Sequence, residues 1–159
     1  MMQFAFHIDE VFEMAIQMEE NGAEFYAKAA LAAVDPEVKA VLEKLSVMEV
    51  EHKALFSKLR EEVVSANEHK TFYDPSGKNA RYLKSIIDTQ VFFEKEIDTS
   101  SMEEVLKEAI WGEKDSTVFY LGIRQSMDDE ATKQKSDKII EEEMSHIRIL
   151  SERLKALKS

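Results

Sequence analysis

The sequence predicts an all-α protein: an antiparallel four-helix bundle of two helical hairpins, joined by one long crossover that contains a short helix. Two observations predict this fold class. Only 4 Gly and 2 Pro interrupt the 159 residues, and the long segments between them are rich in residues that favour helices. Within those segments apolar residues recur at alternating steps of three and four, as on the buried stripe of a bundle helix. The length suits a single domain, which we assign to residues 1–159.

The first hairpin is predicted over residues 9–66. Asp9 can cap a first helix that ends near residue 34. The run Asp35-Pro36-Glu37 then supplies a new N-cap, a first-turn proline and a first-turn acid. A second helix therefore follows and ends near residue 66. Because the link between the two helices is short, they are expected to pack as antiparallel neighbours.

Residues 67–100 lack one clean helical period and are predicted to form the crossover. The run Asp74-Pro75-Ser76-Gly77 is typical of a turn, and residues 80–88 form the predicted short helix. Five aromatic residues of the crossover are expected to cover the core of the bundle rather than to bind a ligand: Phe72, Tyr73, Tyr82, Phe92 and Phe93.

The second hairpin is predicted over residues 101–157. Two overlapping capping boxes, Ser100 with Glu103 and Ser101 with Glu104, indicate the start of a third helix that ends near residue 127. Asp128-Asp129 then begins a fourth helix. The long crossover lets this hairpin dock on the first. It could close on its own chain or be exchanged with a partner's, so a homodimer is one of the arrangements expected.

The composition excludes several classes of function. The sequence has no Cys, so it has no disulfide, thiolate metal site or cysteine nucleophile, and any metal must be held by nitrogen and oxygen ligands. The net charge of -11 argues against a nucleic-acid partner, since such binding rests on Lys and Arg. No window approaches eighteen uninterrupted apolar residues, and no signal-peptide pattern opens the sequence. We therefore expect a cytoplasmic protein without a membrane partner.

Charged residues occupy the apolar stripe of every predicted bundle helix at mid-length. Each stripe contains one Glu, and in the second and fourth helices a His follows three residues later. The set is Glu19, Glu49, His52, Glu113, Glu143 and His146. A Glu and a His at this spacing lie on one helix face, so both can reach one ion.

Four inward carboxylates and two imidazoles would be costly as a bare core, because like charges repel and each buried ion loses its hydration. Two divalent cations remove that conflict, since their four positive charges match the four carboxylates while the histidines stay neutral. The alternative is a set of core polar residues satisfied by one another. Of the remaining histidines, His7 and His69 lack a Glu three residues earlier and are interpreted as ordinary.

An internal repeat with an offset of 94 residues supports the metal interpretation. Subtracting positions gives 113 − 19 = 94 and 143 − 49 = 94 for the glutamates, and 146 − 52 = 94 for the histidines. Tyr26 and Tyr120 share the same offset. The two hairpins are therefore copies of one unit, and the inward charges recur in phase.

At these residues the chain resembles the rubrerythrin-like branch of the ferritin-like di-iron carboxylate proteins. Four motifs carry the resemblance: Glu19-x6-Tyr26, Glu49-Val-Glu-His52, Glu113-x6-Tyr120 and Glu143-Met-Ser-His146. The resemblance implies that Glu49 and Glu143 bridge two metals and that Glu19 and Glu113 are terminal ligands. It also implies that His52 and His146 each bind one metal.

The sequence departs from that family at two points. Full-length rubrerythrins add a Cys-rich rubredoxin module that relays electrons, and this sequence has no Cys, so electrons would come from an external donor protein. Peroxidase-type members carry a further carboxylate about one turn after the third-helix ligand, where this chain has Ser116.

Two pairs of residues near the predicted ligands have open interpretations. Tyr26 and Tyr120 lie two turns beyond a ligand, so their hydroxyls could bond to ligand carboxylates, or the rings could be core aromatics. Gly22 and Ser116 leave space that could admit O2 or peroxide, although close helix packing explains small residues equally well.

The ligand set of carboxylates and imidazoles suits two Fe ions, and Mn or Zn also fit such a site. The function predicted first is a di-iron oxidoreductase that reduces O2 or peroxide with electrons from an external donor protein. The alternatives are a non-enzymatic iron-binding or iron-handling protein, and a bundle whose metals are purely structural.

Overall fold

A computed structural model of the protein describes residues 8–66, 76, 78–88, 97–128 and 130–159. These residues form five helices and contain no β-strand. The helices are α1 (Ile8–Ala32), α2 (Pro36–Ala66), α3 (Lys78–Asp88), α4 (Met102–Gln125) and α5 (Glu130–Lys158). The predicted all-α class is confirmed.

The helices pair as two hairpins. α1 packs along α2 and α4 packs along α5, while α1 also contacts α4 and α2 contacts α5. The four long helices thus form the bundle, with α3 set against α4 on its outside. None of the described helices is both long and apolar enough to cross a membrane.

The helix boundaries follow local capping chemistry. Asp35 precedes α2, and its Oδ1 accepts a hydrogen bond of 2.8 Å from the backbone N–H of Glu37, which satisfies a first-turn donor. α1 ends at Ala32, two residues before the predicted end. The predicted start of the fourth bundle helix at Asp128-Asp129 is close to the observed start at Glu130; Asp129 itself lies outside the described residues.

One of the two predicted capping boxes is wrong. Ser101 is the N-cap of α4, with an extended backbone and a side chain that accepts from the N–H of Glu104. Ser100 lies one residue too early and instead donates its backbone N–H to Asp98 Oδ1 at 2.9 Å. At this second box the Ser101 side chain makes its predicted bond, while the carboxylate of Glu104 pairs with Lys107 at 3.0 Å.

The crossover helix α3 rests on a glycine of α4. A Cβ atom at Gly122 would lie 2.6 Å from Cε1 of Tyr82 and 2.9 Å from Leu83, closer than non-bonded carbons approach. The Tyr82 hydroxyl donates to the backbone oxygen of Val118 at 2.9 Å. Tyr82 is partly exposed and Leu83 is buried. The short helix α3 begins at Lys78, two residues before the predicted residue 80. The other aromatic residues predicted to cover the core lie outside the described residues: Phe72, Tyr73, Phe92 and Phe93.

Two apolar clusters fill the bundle, one at each end. The first includes Phe12, Phe56 and Phe119, and the second includes Leu42 and Leu106. Along each long helix the predicted metal ligands fall between residues of the first cluster and residues of the second. The charged residues are therefore enclosed by apolar side chains on both sides, at the middle of the bundle.

Candidate metal centre

All six predicted ligands are buried. Their exposed fractions range from 0% to 3%, although Glu is among the residue types that are rarely buried without a partner. Each long helix presents one of the glutamates inward because its position falls on the apolar stripe, and α2 and α5 add a His one turn later. His7 and His69 lie outside the described residues.

The six side chains form two overlapping groups of four. Atoms of Glu19, Glu49, His52 and Glu143 lie within 4.8 Å of one another. Atoms of Glu49, Glu113, Glu143 and His146 do the same. Glu49 and Glu143 belong to both groups, whereas each of the other four residues belongs to one. Two ion positions that share two carboxylates fit this arrangement.

Both imidazoles direct Nδ1 toward the carboxylates. His52 Nδ1 lies 2.8 Å from Glu143 Oε1 and 3.5 Å from Glu19 Oε2. His146 Nδ1 lies 3.3 Å from Glu49 Oε1 and 3.3 Å from Glu113 Oε1. The rings stack with centroids 5.6 Å apart and planes inclined by 16°. The two histidines thus present the same nitrogen to the two groups.

Each of the six residues has at least one buried side-chain atom that makes no hydrogen bond of acceptable geometry among the described residues, even though His52 Nδ1 and Glu143 Oε1 lie only 2.8 Å apart. These atoms are Glu19 Oε2, Glu49 Oε1, His52 Nδ1, Glu113 Oε2, Glu143 Oε1 and the two ring nitrogens of His146. Buried polar atoms are normally paired, because an unpaired one keeps the full cost of losing water. Except for His146 Nε2, these atoms come from the two groups of four and can point at shared ions. The set therefore fits two N/O-ligated metals.

The close packing of four buried carboxyl groups raises the pKa of two of them. Burial, followed by the charge of Glu49, raises the pKa of Glu19 well above its usual value. Burial, followed by the charges of Glu113 and Glu49, raises the pKa of Glu143 in the same way. Without metal, the protonated forms of Glu19 and Glu143 are therefore favoured, and their protons take the place that cations can fill.

The carboxylates also act on the histidines. Burial opposes the charged form of His146, but Glu113 and Glu49 outweigh it and raise the pKa of His146 to about 9. His52 is likewise buried, and Glu143, Glu19 and Glu49 raise its pKa above the usual range. Metal binding through Nδ1 must therefore displace protons from the rings.

Two tyrosines connect the hairpins at the centre. The Tyr26 hydroxyl donates to Glu113 Oε1, and the Tyr120 hydroxyl donates to Glu19 Oε1. Each tyrosine thus holds the carboxylate of the opposite hairpin. Burial is the largest cause that raises the pKa of both hydroxyls, so both remain protonated donors. The structure shows the hydrogen bonds to Glu113 and Glu19; the role of these two carboxylates as metal ligands stays a prediction.

The residues one turn beyond Glu19 and Glu113 are also buried. Gly22 and Ser116 both lie on the inward face, and Ser116 is 4% exposed. Space for O2 or peroxide beside them remains a prediction.

Sequence reasoning missed one residue near the centre. Glu142 Oε2 lies 2.6 Å from His52 Nε2, on the side of the ring that faces away from the other carboxylates. Its side chain is 35% exposed, so it does not belong to the buried stripe of α5. A half-exposed Glu in a sequence rich in Glu carries no periodic signal, and only the packing of α5 against α2 reveals the contact.

Comparison with known proteins agrees with this geometry. The family model described as Rubrerythrin matches residues 2–60, a segment that includes α1, most of α2 and the predicted ligands Glu19, Glu49 and His52. A Thermotoga maritima crystal structure matches with a TM-score of 0.71 and 24% sequence identity, covering 97% of this chain and 98% of the other.

The chain has the ferritin-like fold. The Thermotoga maritima protein carries the provisional description of a ferritin-like diiron-carboxylate protein, and the match spans both hairpins. The predicted resemblance to rubrerythrin-like proteins is confirmed, and the family model lies on the first hairpin. No match was found among curated proteins. A ferritin-like bundle with a buried Glu and His cluster supports metal binding, while the assignment of individual ligands stays a prediction.

Proposed function

We propose that this protein is a di-iron oxidoreductase that reduces O2 or peroxide at the centre of its ferritin-like bundle. The observation that carries the proposal is the pair of overlapping four-residue groups that share Glu49 and Glu143. A mononuclear or structural ion needs only one such group. Two positions joined by shared carboxylates favour chemistry that moves two electrons at once.

Two Fe ions bound there would each pass between ferrous and ferric states, and together supply the two electrons that convert one hydrogen peroxide and two protons into two waters. The protein would hold them with Glu49 and Glu143 between the two positions. Glu19 with His52, and Glu113 with His146, would complete one position each. The four carboxylate charges balance two divalent ions, so loading needs neutral histidines.

The other residues of the centre have positioning roles in this proposal. Tyr26 and Tyr120 hold Glu113 and Glu19 by hydrogen bonds from the opposite hairpin, which limits the positions these carboxylates can take. The apolar clusters on both sides exclude bulk water. A site of low polarity strengthens the attraction between carboxylates and cations.

Iron is proposed rather than Mn or Zn because the proposed reaction needs a metal that changes oxidation state, and the ligands suit all three. The reductant is proposed to be an external electron donor protein. With no Cys in the sequence, no iron–sulfur relay can be built from these 159 residues.

The second candidate is a protein that binds or handles iron without catalytic turnover. It is favoured by Ser116, which occupies the place where peroxidase-type relatives carry a further carboxylate. The buried hydroxyl of Ser116 cannot serve as an anionic ligand when the iron becomes ferric.

The test is anaerobic loading with Fe(II), followed by addition of peroxide with a chemical reductant, monitored by absorbance and Mössbauer spectroscopy. We expect one peroxide to oxidise both irons, and turnover to repeat while reductant lasts. A single oxidation without turnover would favour iron handling. A variant with Glu49→Gln and Glu143→Gln is the matched control, since it keeps the shape of the centre and removes the bridging charges.

A further inference from the structure

The two histidines of the metal centre differ at the ring nitrogen that faces away from the carboxylate cluster. His52 Nε2 lies 2.6 Å from Glu142 Oε2, which reaches it from α5. His146 Nε2 has no hydrogen-bond partner among the described residues, although the ring is fully buried. One half of a nearly symmetric centre therefore has a support that the other half lacks.

The internal repeat accounts for this difference between the two histidines. The offset of 94 places Met48 of α2 at the position equivalent to Glu142, since 142 − 94 = 48. Both residues are half-buried, and each precedes a glutamate of the centre. A thioether is at most a weak hydrogen-bond acceptor. The asymmetry thus follows from a single difference in residue type, Glu142 against Met48, at equivalent positions of the two hairpins.

This residue affects how a histidine can bind a metal. An imidazole that coordinates through Nδ1 carries its proton on Nε2, and a carboxylate that accepts this proton fixes the ring and strengthens Nδ1 as a donor. Glu142 is placed to do so for His52. Among the described residues His146 has no such acceptor, so within that part of the chain only packing holds its ring.

We propose that the two metal positions are inequivalent and that Glu142 is the positioning residue that makes the His52 position the tighter one. A divalent ion added at one equivalent per chain then occupies the position formed by Glu19 and His52. The second position, formed by Glu113 and His146, fills only after it. The inference rests on the metal centre proposed above but not on its peroxide chemistry.

Exchange of the two residues tests this assignment. Zn(II), which has no redox chemistry, is added to the full-length protein at one equivalent per chain, and its location is read from anomalous diffraction. Calorimetry gives the two binding steps. In wild type the ion is expected beside His52. In the variant with Glu142→Met and Met48→Glu it is expected beside His146.

Single variants measure how much Glu142 contributes to the affinity of the first Zn(II)-binding step. Glu142→Met should weaken the first step about 10–100-fold, the range found for loss of such supporting carboxylates, and leave the second step unchanged. Glu142→Gln keeps an oxygen that accepts the Nε2 proton and should lose less than Glu142→Met. If the double variant with Met48→Glu does not fold, the single variants Glu142→Met and Glu142→Gln still decide the question.

Several outcomes would overturn the inference. Equal occupancy of both positions in wild type would do so, as would an unchanged first step in Glu142→Met, or a loss spread equally over both steps. A centre that binds no second ion would instead contradict the proposed di-metal site. Two unequal Zn(II) steps in a protein that never turns over peroxide would contradict only the proposed enzyme.

Discussion

Tyr26 of the first hairpin donates its hydroxyl hydrogen bond to Glu113 of the second, 87 residues away in the sequence. Tyr120 makes the reciprocal bond to Glu19. Each hairpin thus positions a carboxylate that belongs to the other one. The centre depends on correct docking of the two copies, and neither hairpin can assemble it alone.

Removing these hydroxyls should loosen the centre. Tyr26→Phe leaves Glu113 Oε1 without its buried donor, which is expected to cost about 1–3 kcal/mol of unfolding free energy in the metal-free protein and about 10–100-fold in metal affinity. Thermal unfolding and Zn(II) calorimetry measure the two effects.

Tyr82→Phe is the matched control, because its hydroxyl bonds to a backbone oxygen at the surface. It should leave metal affinity unchanged. If Tyr26→Phe and Tyr82→Phe behave alike toward Zn(II), the hydrogen bond to Glu113 does not position a ligand.

Replacing both shared carboxylates should have opposite effects on the metal-free and metal-bound protein. Glu49→Leu with Glu143→Leu leaves two glutamates facing two histidines, so the excess negative charge of the metal-free centre is removed. We expect the metal-free variant to gain about 1–4 kcal/mol of unfolding free energy. Wild type should gain about 4 kcal/mol when metal exceeds Kd a thousandfold, and the variant should lose nearly all of that gain.

Denaturant unfolding with and without Mn(II) tests this reversal. Val50→Leu with Met144→Leu, at exposed positions next to the same glutamates, controls for added leucines. A metal-free double variant that is less stable than wild type would mean that the histidines already satisfy both carboxylates.

A carboxylate at position 116 should favour peroxide turnover. Ser116 lies one turn from Glu113 and is buried, so Ser116→Glu adds an anionic oxygen beside one metal position. We expect faster peroxide reduction by the iron-loaded protein and a lower melting temperature without metal. Ser116→Gln, which has the same shape without charge, should not raise the rate. An unchanged rate in a fully loaded Ser116→Glu variant would show that Ser116 does not limit turnover.

Docking of the crossover helix should depend on Gly122. Gly122→Ala places a methyl 2.6 Å from the Tyr82 ring, so α3 must shift, at a cost of about 1–3 kcal/mol for overpacking. The helix preference of Ala offsets up to about 1 kcal/mol of this cost. Hydrogen exchange should show weaker protection of α3, with α1 unchanged. Lys28→Ala, at the repeat-equivalent position on α1, is the control. Full protection of α3 in Gly122→Ala would contradict the contact.

The inward positions of the glutamates could be predicted because helical period alone decides which side chains face the core. Glu19 and Glu113 fall on stripes whose other members are mostly apolar, and the repeat places Glu49 and Glu143 in the same phase. The start of α4 was predicted to within one residue. The choice between Ser100 and Ser101 depends on backbone dihedral angles, which residue type does not determine.

Contacts between helices were harder to predict from the sequence. Glu142 contacts His52 only because α5 packs against α2. The half-exposed Glu142 does not lie on the apolar stripe that helical periodicity identifies. The fit of Tyr82 over Gly122 likewise depends on where the crossover returns to the bundle. The boundaries of the single domain, the exchange of the crossover between chains and the electron donor remain predictions.

The most direct test of the central claim is anomalous diffraction at the iron edge from crystals of protein loaded with Fe(II) in the absence of oxygen. We expect two iron peaks about 3.5–4 Å apart, the spacing usual for paired catalytic metals. Both should contact Glu49 and Glu143, one beside His52 and the other beside His146. A single peak, no peak at the centre of the bundle, or iron bound only at surface carboxylates would contradict it.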